Sequence, residues 1–69
     1  MDKIQVFING EETPVPRGST VQDLVEHLGL GGQPAAVEVN KALVPKRRHA
    51  EHVVSEGDRL EVVTLVGGG

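Results

Sequence analysis

From residue 3 to residue 8, apolar side chains alternate with other side chains along the chain. This two-residue period predicts a strand with one buried face. The residues predicted to point into the core are Ile4, Val6 and Ile8. Asn9-Gly10 follows, and because both residues tolerate positive φ, the pair predicts a tight hairpin turn. The return strand contains Pro14 and Pro16, which cannot donate to a strand ladder, so we expect it at a sheet edge.

A short helix is predicted for residues 21–28. The Thr20 side chain can accept hydrogen bonds from the first turn, and Asp23, three residues later, is an imperfect capping-box partner. Apolar residues fall at i, i+3, i+4 and i+7 and form one stripe. The members of this stripe are Val21, Leu24, Val25 and Leu28. Gly29 can adopt the left-handed conformation that ends a helix. Because so short a helix is not stable alone in water, we expect the stripe to pack on a sheet.

Three extended segments follow the helix, at residues 35–39, 43–44 and 59–66. The first and last strands of the chain are the most apolar, so we expect them at the centre of the sheet, side by side and parallel. A hairpin, one covering helix and later strands make a two-layer α+β domain. This is the β-grasp arrangement, a mixed sheet packed on one short helix.

Composition excludes several classes of protein. A chain of 69 residues is one domain at most, and without Cys it has no disulfide, thiolate zinc site or cysteine nucleophile. One Phe, no Trp or Tyr and a net charge of −3 argue against nucleic-acid binding. No apolar run is long enough to span a membrane, and the N-terminus has no signal-peptide pattern. We expect a soluble, cytoplasmic protein that is monomeric alone.

Few groups are available for catalysis or metal binding. No hydroxyl lies in a nucleophile motif, and Thr20 is explained as a helix cap, so we expect no catalytic residue and no enzyme activity. His27 should face solvent. His49 and His52 could hold a metal if a third ligand converged; the alternative, which we favour, is two solvated loop residues and no metal. The polar segment around them is predicted to be anchored by Ala50, Val53 and Val54.

Lys46-Arg47-Arg48 is a short basic run. An exposed loop accounts for it, and electrostatic docking to an acidic partner is the alternative. Three positive charges in a net acidic domain do not make a nucleic-acid site.

Three glycines, Gly67, Gly68 and Gly69, directly follow the last strand. Glycine is common in frayed termini, and we expect a domain over residues 1–66 with a flexible tail at 67–69. Such a tail is also thin enough to thread a narrow channel and deliver the carboxylate of Gly69 to a buried site on another protein. Adenylation by ATP and attack by sulfide would convert that carboxylate to a thiocarboxylate. Without Cys, the terminus is where this chain could carry sulfur.

Short motifs are spread over nearly the whole chain. They are Phe7-Ile8-Asn9-Gly10, Thr20-Val21-Gln22-Asp23-Leu24, Ala36-Val37-Glu38-Val39-Asn40, Leu43-Val44-Pro45, Glu56-Gly57-Asp58, Val62-Val63 and Gly67-Gly68-Gly69. In this order and spacing the chain resembles the ThiS family, ubiquitin-like β-grasp sulfur carriers of thiamine biosynthesis. Each motif is weak, but the combination of V-E-x-N, V-P, G-D and a closing Gly-Gly is specific. The departures are extra residues before the first strand and Lys46 where the family often has Arg.

The resemblance implies that Gly69 is adenylated by a ThiF-type, E1-like activating enzyme that uses ATP. Gly69 would then receive sulfur that originates from a cysteine desulfurase and donate it, as a thiocarboxylate, to the thiazole synthase ThiG. The chain itself would be a carrier without a cofactor. Two alternatives stay open: a carrier for molybdopterin synthesis or tRNA thiolation, and a ubiquitin-like interaction module that carries nothing.

A partner-binding patch is predicted on the sheet face away from the helix. If Leu60 and Val62 point into the core, strand alternation places their neighbours on the open face. An exposed apolar patch on a small monomer often marks a protein interface. The predicted patch comprises Phe7, Val63, Leu65 and Val66. The alternative for Phe7 is that loops half cover it.

Overall fold

A computed structural model describes residues 2–64 of the chain. The strands in this range are β1 (Lys3–Ile8), β2 (Glu11–Pro16), β3 (Ala35–Val39), β4 (Ala42–Val44) and β5 (Arg59–Thr64). The helix α1 spans Val21–His27, and a single 3₁₀ turn spans Lys46–Arg48. Within these residues no helix has the length and apolar character needed to cross a membrane. The predicted end of the last strand, and the predicted boundary between residues 1–66 and 67–69, lie outside the described residues.

The strands form one mixed sheet in the order β2-β1-β5-β3-β4. β1 and β5 are parallel, with Phe7 opposite Arg59 and Ile8 opposite Leu60, which confirms the predicted central pair. The other neighbouring strands are antiparallel. β2, which contains the two prolines, lies at the edge as predicted. The architecture is therefore the expected α+β, β-grasp one.

The core lies between α1 and one face of the sheet. Its members are Ile4, Val6, Ile8, Val15, Val21, Leu24, Val25, Ala35, Val37, Val39, Val44, Val54, Leu60 and Val62. Alternate residues of the two central strands enter it, as their sequence period predicts. Burial of one such Val, Leu or Ile side chain contributes about 1.5–3 kcal/mol. The core therefore fixes β5, the strand from which the tail continues.

Both bonds of a capping box start the helix. The Asp23 N–H donates to Thr20 Oγ1 at 3.1 Å, and the Thr20 N–H donates to Asp23 Oδ2 at 2.9 Å. The helix ends one residue earlier than predicted, with Leu28 as its C-cap. The expectation that Leu28 completes the buried stripe is wrong, since 40% of this residue is exposed and Leu30 packs against the core instead. The chain turns away from the helix axis here, through Gly29 at φ +80°.

The polar segment after β4 is anchored differently from the prediction. His49 is only 3% exposed, and its Nε2 donates a 3.0 Å hydrogen bond to the Val44 carbonyl, so the expectation of a solvated His49 is wrong. Val54 is buried as predicted, whereas Ala50 and Val53 are exposed. An imidazole can be buried at low cost when its polar atoms are paired. The segment has no regular period that would indicate which of its residues face inward.

The same segment covers the start of α1. The Val21 N–H donates to the His52 carbonyl at 2.9 Å, and the Gln22 N–H donates to the His49 carbonyl at 2.8 Å. Together with the capping box, these bonds satisfy N–H groups that a helix leaves unpaired at its first turn. His49 therefore ties this segment to both β4 and α1.

Candidate functional site

β5 leads directly to the predicted sulfur-carrying tail. Leu60 and Val62 are buried, with 1% and 8% exposure, while Arg59, Glu61 and Val63 lie on the open face. This alternation confirms the predicted faces of the strand. The remaining predicted site residues lie outside the described residues and stay predictions. They are Leu65, Val66, Gly67, Gly68 and Gly69.

Phe7 lies half-buried on the open face, beneath a guanidinium group. Arg59 is its partner across the parallel pair, and the Arg59 Cζ atom lies 4.4 Å from the centroid of the Phe7 ring. A cation over an aromatic face at a partly exposed site contributes about 0.5–1 kcal/mol. Glu12 is opposite Phe7 on the other side, in β2. The guanidinium of a neighbouring strand thus lies over the half-buried ring.

The two described residues of the predicted patch, Phe7 and Val63, do not adjoin each other. Val63 is 57% exposed and lies four residues beyond Arg59, which corresponds to about 13 Å along the strand. Arg59 and Glu61 occupy the open face between them. The neighbour of Val63 in β3 is Ala36. The described part of the patch is therefore two separate apolar points on one face.

Two carboxylates face each other across the open face. Glu38 of β3 is directly opposite Glu61 of β5, and the exposed Leu43 is opposite Glu38 on its other side. Neither carboxylate has an ion-pair partner among residues 2–64. Like charges in directly opposite positions destabilise a sheet. Alternation assigns each glutamate to this face, but only the register between the strands places them together.

Two asparagines in the hairpin turns hold the backbone of β5. The sequence predicts a turn at Asn9 and does not indicate that either side chain contacts β5. Asn9 Oδ1 accepts from the Val62 N–H at 2.9 Å, and Asn9 Nδ2 donates to the Val62 carbonyl at 3.2 Å. Asn40 Oδ1 accepts from the Arg59 N–H at 3.0 Å. These partners are 53 and 19 residues apart in the chain. A local turn signal gives no information on contacts at such a separation.

The hydroxyl and imidazole groups considered in the sequence lie in different structural settings. Thr20 is the helix cap that was predicted, and His27 is exposed as predicted. The His49 imidazole is bonded to the backbone of β4. Among residues 2–64, no three His, Asp or Glu side chains are placed to share a metal ion.

The basic run forms the 3₁₀ turn, with Lys46, Arg47 and Arg48 all exposed. The ion pair found among residues 2–64 lies elsewhere, between Arg17 Nε and Asp2 Oδ2 at 2.6 Å. That hydrogen bond, together with the Asp2 charge, raises the pKa of Arg17. In the described part of the chain the basic run is therefore an exposed surface without acidic partners, which suits both interpretations of its sequence.

Comparisons of this chain with known proteins agree on one family. Residues 2–69 match the sequence profile of the ThiS family. The sulfur carrier protein ThiS of Escherichia coli (strain K12) is 30% identical over 66 residues, which cover 96% of this chain and 100% of that protein. A thiazole synthase of Paramagnetospirillum magneticum is 41% identical over 66 residues. These residues cover 96% of this chain but only 20% of that synthase. The chain also spans only 20% of a thiazole synthase from Magnetococcus marinus.

The fold is also that of a solved structure. The crystal structure of the thiamine biosynthesis protein (ThiS) from Geobacter metallireducens matches with a TM-score of 0.79 and 23% identity, covering 96% of this chain and 100% of that one. At this identity the match shows a shared fold. The family profile covers nearly the whole chain, and the E. coli relative is matched along its full length. The chain therefore belongs to the ThiS family.

Proposed function

We propose that this ThiS-family sulfur carrier of thiamine biosynthesis carries its sulfur as a thiocarboxylate on Gly69 and donates it to a thiazole synthase. The observation that carries the proposal is the family match through residue 69, which includes the three glycines after β5. In this proposal the chain is a co-substrate, not a catalyst, and needs no cofactor of its own. We place its action in the cytoplasm, where ATP for activation is available.

The proposed chemistry has two steps on the terminal carboxylate. First, a Gly69 carboxylate oxygen attacks the α-phosphorus of ATP on a ThiF-type activating enzyme, and pyrophosphate leaves. The acyl adenylate then has a good leaving group. Second, hydrosulfide attacks the Gly69 carbonyl carbon; its sulfur originates from a cysteine desulfurase persulfide that a thiol reduces, with oxidation of the thiol to a disulfide. The C–S bond forms, the C–O bond to AMP breaks, AMP and a proton are released, and a thiocarboxylate remains. Gly67 and Gly68 suit this role because a tail without side chains can enter a narrow channel.

We propose that the open sheet face docks on the activating enzyme. Phe7 under Arg59 gives one contact point, and Val63 gives a second point nearer to the tail. Leu65 and Val66 would extend the second point toward Gly69. The facing carboxylates of the same surface would favour a partner with basic groups there, since complementary charge orients and accelerates protein association. The body of the domain thus serves recognition, and the terminus serves the reaction.

The thiazole synthase relatives support the choice of acceptor. In both of these proteins named thiazole synthase, the segment that matches this chain makes up about a fifth of one longer chain. Linking two partners in one chain keeps them at an effective concentration of roughly millimolar, which favours transfer between them. The names of these relatives favour the thiazole branch over carriers for molybdopterin synthesis or tRNA thiolation.

A genetic complementation experiment tests this proposal. A thiazole auxotroph that lacks its own carrier should grow when it expresses this chain, and should not grow with a chain that lacks Gly68 and Gly69. Circular dichroism of the purified truncated chain controls for folding. Growth with a folded, truncated chain would instead support a ubiquitin-like interaction module. Rescue of a strain that lacks the molybdopterin carrier, without rescue of the thiazole auxotroph, would move the proposal to that branch.

A further inference from the structure

β5 extends past the end of β1 on the side that leads to the tail. The last residue of β1, Ile8, is opposite Leu60, and the Asn9 N–H donates to the Leu60 carbonyl at 2.8 Å. The chain then reverses at Asn9 and Gly10, whose φ angles are +52° and +86°. These positive angles are typical of a two-residue hairpin turn, and they direct the backbone away from β5 before it can pair with Val62.

The Asn9 side chain replaces the missing backbone neighbour. A side-chain amide has donor and acceptor groups arranged as in a peptide unit. The Asn9 amide uses its oxygen for the Val62 N–H and its nitrogen for the Val62 carbonyl, as a paired strand residue would. On the opposite side, β3 pairs with β5 as far as Thr64, which is opposite Ala35. The tail-bearing end of β5 is therefore held between β3 and one asparagine.

Asn40 makes a similar contact at the other end of β5. It also begins a two-residue turn with φ +52°, and its side chain accepts from the Arg59 N–H. Its Nδ2 donates to Asp58 Oδ1 at 3.0 Å. Arg59 is the first residue of β5, whereas Val62 is two residues before Thr64. The two asparagines thus share turn geometry and a contact with β5, but they differ in distance from the tail.

We propose that Asn9 is a positioning residue that fixes the tail-bearing end of β5, so that Gly69 reaches the activating enzyme in a reactive geometry. This inference rests on the proposed function. Gly69 lies five residues after Thr64, a reach of at most about 18 Å. Attack on ATP needs reacting atoms about 3–3.5 Å apart. A tail this short can bring Gly69 there only if the end of β5, from which it starts, lies at the right place on the activating enzyme. Asn40, at the far end of the strand, does not control this geometry.

The test compares Asn9→Gly with Asn40→Gly. Glycine adopts positive φ without strain, so each variant keeps its turn and loses only the amide. Adenylation by a ThiF-type enzyme is measured at a temperature where circular dichroism shows both variants folded. Asn9→Gly should lower the kcat of adenylation at least tenfold, with little change in the KM for this chain. The reason is that misplacement of a reacting group by about 1 Å can reduce a rate 10²-fold. Asn40→Gly should keep kcat within about twofold, because it leaves the contact between Asn9 and Val62 intact.

Backbone dynamics provide the second readout. The ¹⁵N order parameters of Val62, Val63 and Thr64 should fall in Asn9→Gly and stay unchanged in Asn40→Gly. If Asn9→Gly does not fold, Asn9→Asp, which keeps the acceptor and loses the donor, takes its place in both measurements. A wild-type kcat for the Asn9 variant, or equal losses in the two variants, would overturn the inference. If the wild-type chain itself is not adenylated, the proposed function fails first, and the two failures are thereby distinguished.

Discussion

Replacement of the buried histidine tests whether His49 is structural. His49→Ala removes the hydrogen bond to the Val44 carbonyl, which contributes about 0.5–1.5 kcal/mol, and leaves a cavity that costs roughly 2–3 kcal/mol. We therefore expect a loss of about 3 kcal/mol in the free energy of unfolding. A chain of 69 residues has a total stability of about 3–10 kcal/mol, so the loss is a large share of it. The midpoint of thermal unfolding should fall by roughly 12–24 °C.

Urea and thermal unfolding, followed by far-ultraviolet circular dichroism, measure this loss. The matched control is His27→Ala at an exposed position of α1, which should change stability by less than about 0.5 kcal/mol. Equal stability of His49→Ala and the wild type would refute the assignment of His49 as an anchor. At a temperature where it is folded, His49→Ala should still be adenylated at the wild-type rate. A slow reaction of the folded variant would show that His49 acts in the reaction.

Three further substitutions test the open face and one turn. Glu61→Gln removes the repulsion from Glu38 and should raise the free energy of unfolding by about 0.2–1 kcal/mol at low salt. The gain should be smaller in 1 M salt, which screens the two charges. A variant less stable than the wild type would contradict repulsion between the two carboxylates. Lys41→Gly should stabilise the chain by up to about 1 kcal/mol in urea unfolding, because Lys41 has φ +71°, a conformation costly for residues other than glycine. Phe7→Asp should raise the KM with which the activating enzyme uses this chain while the domain stays folded, because the half-buried ring lies under Arg59 on the proposed docking face. An unfolded variant would mean that Phe7 supports the core.

Regular periodicity made the sheet, the helix and the core predictable. A strand or helix with one buried face repeats its apolar residues at a fixed interval, so Ile4 and Leu24 could be assigned to the core without a structure. The prediction for Leu28 was wrong because the apolar spacing in the sequence continues to Leu28, whereas the helix ends at His27. The prediction for His49 was wrong because its burial depends on a carbonyl acceptor five residues earlier in the chain, in a segment without a period.

The arrangement of the candidate site was less predictable, because it depends on register. Alternation assigned Phe7 and Val63 to the same face, but the pairing of Phe7 with Arg59 separates them along the sheet. The facing of Glu38 and Glu61 depends on register in the same way. Register results from turn geometry and from packing of whole strands, and local sequence patterns specify neither fully.

The central claim is that Gly69 carries the sulfur. The most direct measurement is the intact and fragment mass of the full chain after incubation with ATP, a ThiF-type activating enzyme and a sulfide source. We expect a mass gain equal to the replacement of one oxygen by sulfur, located on the C-terminal fragment that contains Gly69, and no gain without ATP. An unchanged mass with an activating enzyme proven on its own carrier, or sulfur located on any other fragment, would contradict the account.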